Sequence, residues 1–234
     1  MTSLSPKTMY TSRGYVIYKE HFDYKDINRT RKELSVLPFV NTGFGGSANR
    51  FSVYLESNKK LYLPKHYGYE TFGNPDKIKN LDKGLDIDLD FNGTLRSTQV
   101  KPVELFLNSC KEGPLSNKSK GGIISLACGG GKTIISLYLL SKLKKKTLII
   151  VHKEFLINQW KERINQFLPY ARVGVIQSNK IQVKNKDIVI GMLQSISMKE
   201  YPSNIFSDFG FTIIDECHHI GAEVFSRSLP KINS

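Results

Sequence analysis

Two short stretches of this 234-residue chain hold residue types that could do chemistry. The first is Ala127, Cys128, Gly129, Gly130, Gly131, Lys132 and Thr133, set between an apolar run at 123–126 and a helix-spaced apolar run that starts at Lys132. Glycines let backbone N–H groups turn inward around the β- and γ-phosphates of a nucleotide. A helix N-terminus adds its positive pole, a lysine adds a point charge, and a threonine hydroxyl can ligate Mg²⁺. The strict spacing G-x-x-x-x-G-K-[ST] is not met, because Leu126 stands where its first glycine would be. The competing reading is a Gly-rich turn that merely precedes Lys132 and Thr133. The second stretch is Asp215 and Glu216, adjacent carboxylates that close the apolar run Phe211–Ile214, with Asp215 83 residues beyond Lys132. Ligands of parallel sheets sit beyond the carboxyl ends of the strands, so these carboxylates are expected where phosphates would lie. Successive side chains at a strand end point in different directions. That suits Asp215 to holding Mg²⁺ and Glu216 to polarising a water for in-line displacement at the γ-phosphate. An Asp-Glu pair after a strand is common as a solvated strand end; it gains weight only together with the loop at 127–133.

The elements that must position these groups follow from hydrophobic period. Fully apolar runs predict strands at 123–126, Thr147–Val151, 173–176, 187–190 and Phe211–Ile214. Helical spacing predicts helices over Ser97–Lys111, Lys132–Leu143 and 154–168, the last through Phe155, Leu156, Trp160, Ile164, Phe167 and Leu168, which makes Trp160 a core residue. Alternating strands and helices imply an α/β domain with a parallel sheet covered on both faces. Earlier residues have another texture. Short alternating aromatic runs at 15–18, 51–55 and 60–64, a helix-like stretch at 25–34 and a Gly/Ser/Asn loop at 41–49 read as a small β-rich α+β domain. The expected division is 1–93 and 94–234. Asp82, Asp86, Asp88 and Asp90 alternate with Leu85, Ile87, Leu89 and Phe91. A period of two fits an edge strand with one acidic solvent face, with a metal cluster as the alternative.

Composition bounds the rest. With 40% hydrophobic and 24% charged residues the chain is an ordinary folded protein, which excludes disordered, collagen-like and coiled-coil classes. No apolar run reaches the ~18 residues of a membrane helix, and the first ten residues do not resemble a signal peptide. The net charge of +13 favours polyanions and is uneven: 14 basic against 11 acidic residues up to Gly93, then 20 against 10. Cys110, Cys128 and Cys217 are odd in number and widely spaced, which argues against a disulfide framework or a zinc site and for a reducing interior. The run Lys142, Lys144, Lys145, Lys146 closes a predicted helix, where cations suit the negative pole, and reads as a solvated helix end.

The order of ACGGGKT, TLIIVHKEFLINQW, IGMLQSIS and IIDECHH resembles the first RecA-like domain of a superfamily 2 helicase. The similarity covers roughly 95–221 and is nearest to the XPB-like group of DNA-dependent ATPases, with related helicases of poxviruses and other large DNA viruses. In that group the phosphate loop tends to read Leu-x-Cys-Gly-x-Gly-Lys-[ST], matched by Leu126, Cys128, Gly129, Gly131, Lys132 and Thr133. The resemblance implies a P-loop fold that uses ATP and Mg²⁺. It gives Gly129, Gly130, Gly131, Lys132 and Thr133 to the nucleotide, Thr133 and Asp215 to the metal, and catalytic roles to Lys132, Asp215 and Glu216. It makes Gln99, in Leu95-Arg96-Ser97-Thr98-Gln99, a reader of the adenine edge, against the alternative of a plain polar residue at a helix start. It places His152, Lys153, Gln194 and Ser195 along a nucleic-acid track and makes His218 the coupling residue, leaving His219 without a role. Such enzymes need a second RecA-like lobe that supplies arginines and a Ser-Ala-Thr element, and neither is found after His219. The expectation is therefore an N-terminal fragment with one incomplete motor lobe of an intracellular DNA-dependent ATPase (nucleus, cytoplasm or viral factory). It would bind ATP with little turnover and partner duplex or single-stranded DNA. The small domain, with its basic aromatic stretch at 59–67, either contacts DNA or only packs. Two rivals stay open: a nucleic-acid-binding module with vestigial nucleotide binding, and a P-loop kinase or small-molecule ATPase.

Overall fold

The computed structural model describes residues 6–37, 50–79, 83–111, 121–202, 204–218, 226 and 228–232. The chain divides into two units, one built on Met1–Leu81 and one on Asp82–His219. Residues 83–93, which sequence texture groups with the small domain, thus belong to the second unit. The loop expected at 41–49 lies outside the described residues.

In the first unit β1 (Thr8–Thr11) and β2 (Gly14–Tyr18) form a hairpin, followed by α1 (Tyr24–Glu33), β3 (Ser35–Val36), β4 (Phe51–Ser52), β5 (Leu55–Glu56), β6 (Lys60–Leu63), α2 (Lys65–Phe72) and β7 (Lys77–Ile78). The main sheet has the order β5-β6-β2-β1-β7, and β3 pairs only with β4. Alternation in β2 and β6 sends Tyr15, Ile17, Leu61 and Leu63 inward against Ile27, Leu34 and Tyr69. The run predicted at 51–55 is broken, because Phe51–Ser52 and Leu55–Glu56 pair with different strands.

The second unit contains α3 (Ser97–Lys111), α4 (Lys132–Leu143), β8 (Thr147–Val151), α5 (Glu154–Phe167), β9 (Val173–Gln177), β10 (Lys180–Ile181), β11 (Ile188–Met192), α6 (Leu193–Met198) and β12 (Phe211–Ile214). The sheet order is β10-β9-β11-β8-β12, in which β9, β11, β8 and β12 run parallel and only β10 is antiparallel. All five residues of β8 are buried, as expected for a strand covered on both faces. Ile149 and Val151 join Leu137 and Leu140 of α4 and Ile157, Trp160 and Ile164 of α5 in the main core. This is the parallel α/β architecture that the sequence pattern implies.

Residues 123–126 correct the expectation of a strand. They form no strand and pair with no described strand, and Ile123 is 84% exposed. An apolar run becomes a strand only where a neighbour supplies the ladder. Here Ile124 and Leu126 are used differently, packed with Val103, Ile135 and Leu139 of α3 and α4. The acidic alternation shows the expected faces without becoming a strand. Leu89 is buried, Ile87 and Phe91 pack on the same core, and the ladder is one bridge, Asp86 to Lys145. Asp86 and Asp88 pair with Lys145 and Lys144 at 2.6 and 2.7 Å. Asp82 lies outside the described residues, and among the described residues no group of three or more His, Cys, Asp or Glu is placed to hold a metal. Lys146 is not solvated: 3% exposed, it donates to the Val183 carbonyl and faces Asp208 at 3.2 Å. Among the described residues no helix is long and apolar enough to cross a membrane.

Candidate nucleotide site

The phosphate loop is shaped by glycine. Gly129 and Gly131 have φ of +77° and +81°, a left-handed backbone that costs other residues about 1–2 kcal/mol. The Gly130 N–H closes a turn on the Ala127 carbonyl at 3.0 Å, and Gly131 is the N-cap of α4, its carbonyl accepting the Ile135 N–H. Gly131 also has no room for a side chain, since a Cβ there would lie 2.1 Å from Gln99 Nε2; at Gly129 a Cβ would meet nothing. Cys128 and Gly129 are exposed, and the first turn of α4 has no acidic residue. No side chain caps this helix start, so its positive pole has no acidic partner within its own first turn. Lys132 Nζ donates to the Leu126 carbonyl at 3.2 Å, and the Thr133 side chain follows at the helix start. This donor set of backbone N–H groups, one ammonium and one hydroxyl fits a polyphosphate bound with Mg²⁺.

Gln99 is 1% exposed and lies against this loop. Its Oε1 accepts the Arg96 N–H at 2.9 Å and its Nε2 donates to the Gly130 carbonyl at 3.4 Å. It is therefore more than a plain polar residue at a helix start, because its amide ties α3 to the loop.

Asp215 follows β12 directly, and its N–H donates to the Ile150 carbonyl at 2.9 Å, which extends the β12–β8 ladder by one bond. Its Oδ2 accepts the indole N–H of Trp160 at 2.9 Å. Glu216 is exposed and left-handed, with φ of +52°. For a non-glycine residue that conformation costs of order 1 kcal/mol or more and collects at functional sites. It turns Glu216 away from the line of β12, and its Oε2 lies 3.4 Å from His218 Nδ1. His219 lies outside the described residues. Helix α4 packs on β12, and Phe211 shares a cluster with Ile135 and Leu126, so loop and carboxylates belong to one packed unit.

The residues expected along a nucleic-acid track gather at the carboxyl ends of β8 and β11, where Val151 is in register with Met192. His152 and Lys153 follow β8, and Gln194 and Ser195 open α6 after β11. Gln194 Nε2 donates to the His152 carbonyl at 2.9 Å, and Ser195 Oγ accepts the Ser178 N–H at 2.9 Å. Gln194 Oε1 is buried with no hydrogen-bond partner among the described residues, and such a group calls for an explanation.

Sequence reasoning missed two features. One is the second use of Trp160, whose helical spacing signals only packing; a contact spanning 55 residues leaves no local trace. The other is Lys146, which reads as part of a solvated lysine run.

The chain is similar to several known proteins. The family described as "Type III restriction enzyme, res subunit" matches residues 92–234. A protein of Acanthamoeba polyphaga mimivirus, named "Putative ATP-dependent RNA helicase", is 34% identical over 97% of this chain and 43% of its own length. A DNA 3'-5' translocase of the XPB type from Sulfurisphaera tokodaii is 37% identical over 56% of this chain and 27% of its own. A transcript termination protein of Yaba monkey tumor virus is 38% identical over 41% of this chain and 21% of its own. The chain thus spans less than half the length of these relatives. The solved SWI2/SNF2 ATPase core of Sulfolobus solfataricus, in complex with dsDNA, aligns with a TM-score of 0.46 at 21% identity, over 62% of this chain and 31% of that one. The chain belongs to the res-subunit family that matches residues 92–234, within superfamily 2 and beside its XPB-like and viral helicases.

Proposed function

We propose that this chain is the ATP-binding lobe of a nucleic-acid-dependent ATPase, a helicase or translocase that turns ATP hydrolysis into movement on, or remodelling of, nucleic acid. The observation that carries this reading is the loop at 127–133: two left-handed glycines and Lys132 at an acid-free helix N-terminus, packed in one unit with Asp215 and Glu216 at the end of β12. Backbone N–H groups of Gly129–Gly131 and the Lys132 ammonium hold the phosphates, and Gln99 braces the loop; to take the adenine edge as well, its Nε2 must leave the Gly130 carbonyl. Thr133 and Asp215 hold Mg²⁺, which when bound neutralises charge on the phosphates. Glu216 accepts a proton from the attacking water as the new bond to the γ-phosphorus forms and the bond to the leaving diphosphate oxygen breaks. His218, within reach of Glu216, reports nucleotide state to the nucleic-acid side.

The nucleic-acid partner follows from His152, Lys153, Gln194 and Ser195 at neighbouring strand ends, where polar groups can hold phosphates without reading sequence. Relatives carry names of DNA translocases and an RNA helicase, and the charge excess beyond Gly93 suits either polymer. A second RecA-like lobe, with arginines facing the γ-phosphate, completes the engine, so the present chain binds ATP with little turnover.

Equilibrium binding of a fluorescent ATP analogue with Mg²⁺ tests this reading. The unsubstituted chain is expected to bind in the micromolar range, and Lys132→Ala to lose at least tenfold. Absence of binding by both would transfer the function to nucleic acid alone, the vestigial-site alternative, and equal binding by both would remove Lys132 from the phosphate site.

A further inference from the structure

Trp160 is the chain's one tryptophan. Its side chain is 3% exposed on α5, among Ile157, Ile164 and the strands of the main core. Packing accounts for its ring but not for its N–H. A donor at that depth must find an acceptor inside the protein, and this one meets a carboxylate 2.9 Å away. The acceptor is the aspartate that ends β12. With its N–H held by the Ile150 carbonyl and Oδ2 held by the indole, Asp215 is fixed at backbone and side chain, and Oδ1 remains the oxygen to offer a cation. A hydrogen bond to an ionised group is among the stronger ones, and partners of this kind orient ligating carboxylates.

Resting on the nucleotide reading above, we infer that Trp160 is a positioning residue for the metal: its indole N–H fixes the side chain of Asp215 so that Oδ1 faces the Mg²⁺ that accompanies nucleotide. The same helix opens immediately after His152 and Lys153, so the residue that orients the metal carboxylate sits on the element that leads from the expected nucleic-acid track.

A single tryptophan allows residue-specific replacement by 3-benzothienylalanine, which keeps the bicyclic shape and puts sulfur in place of N–H; Trp160→Phe is the encoded counterpart. Binding of a fluorescent ATP analogue is titrated at a series of Mg²⁺ concentrations. The benzothienyl protein is expected to keep its Mg²⁺-free nucleotide affinity within about twofold and to need about ten times more Mg²⁺ or beyond, as for other outer-shell partners of metal sites. An unchanged Mg²⁺ requirement overturns the proposal, and so does an equal loss of Mg²⁺-free binding, which would mark Trp160 as a packing residue. A second measurement needs no nucleotide. In the ultraviolet resonance Raman spectrum, the indole band that reports N–H hydrogen bonding should move to its unbonded position in Asp215→Ala. A band that does not move shows that the bond is absent and overturns the proposal. A band that moves, together with an unsubstituted chain that binds no ATP analogue, retires the nucleotide reading, and the positioning role with it, leaving a structural bond.

Discussion

A left-handed backbone is cheap for glycine and costly for any residue with a Cβ, so the two loop glycines can be separated by what surrounds them. Gly129→Ala meets only the backbone cost, about 1–2 kcal/mol in thermal or urea unfolding. Gly131→Ala must in addition push aside the Gln99 amide, whose Nε2 would lie 2.1 Å from the new Cβ, and release it from the Gly130 carbonyl. It should therefore lower stability more than Gly129→Ala and weaken nucleotide binding more; equal effects would contradict the role given to Gln99. Much of this was legible in the sequence, because glycine, lysine and threonine beside a helix start have few other joint uses. The left-handed turn at Glu216 was not legible, since glutamate does not announce a positive φ; only the demand to present two adjacent carboxylates in different directions hinted at it. Trp160 is the core residue that its helical spacing predicts, while its single polar atom leaves no trace in the pattern.

Strand β11 lies between β8 and β9, and the ion pair that ties its start to the start of β9 is itself testable. Asp187, immediately before β11, accepts the Arg172 N–H and Nε at 2.8 and 2.9 Å through Oδ2, and the second guanidinium nitrogen at 2.6 Å through Oδ1. The guanidinium hydrogen bonds hold this carboxyl below the usual carboxylate range, against a smaller opposing effect of burial. A carboxyl depressed on folding binds protons less readily folded than unfolded. Its stabilisation is complete above the ordinary carboxylate range and is lost as pH falls through the folded value. Asp187→Asn should cost about 1–3 kcal/mol near neutral pH and flatten the decline of stability between about pH 4 and the folded value; an unchanged acid profile would contradict this. Elements with a regular period, β8, β12, α3 and α4, were predicted with correct bounds, since burial on both faces or along one stripe leaves a clear signature. The run at 123–126 was not, because its apolar pattern says that it packs, whereas pairing depends on a neighbouring strand whose position no local pattern records.

The chain carries +13, yet charge count and charge available to a polyanion differ. Lys144 and Lys145 pair with Asp88 and Asp86, and Lys146 is buried against Asp208, so the densest basic run in the sequence is largely answered from within the second unit. Lys153, exposed at the end of β8, is placed to meet phosphates. Duplex DNA binding should therefore weaken with salt, and Lys153→Ala should reduce the slope of log K against log salt by about 1, as expected for one phosphate contact. Lys144→Ala should leave that slope unchanged, and the reverse order would move the track to another face. The most direct test of the whole account is amide hydrogen exchange with and without a non-hydrolysable ATP analogue and Mg²⁺. The account predicts slowed exchange at Gly129–Thr133 and at Asp215 and Glu216, with the first unit unaffected. Unchanged exchange at Gly129–Thr133 under saturating analogue would contradict it.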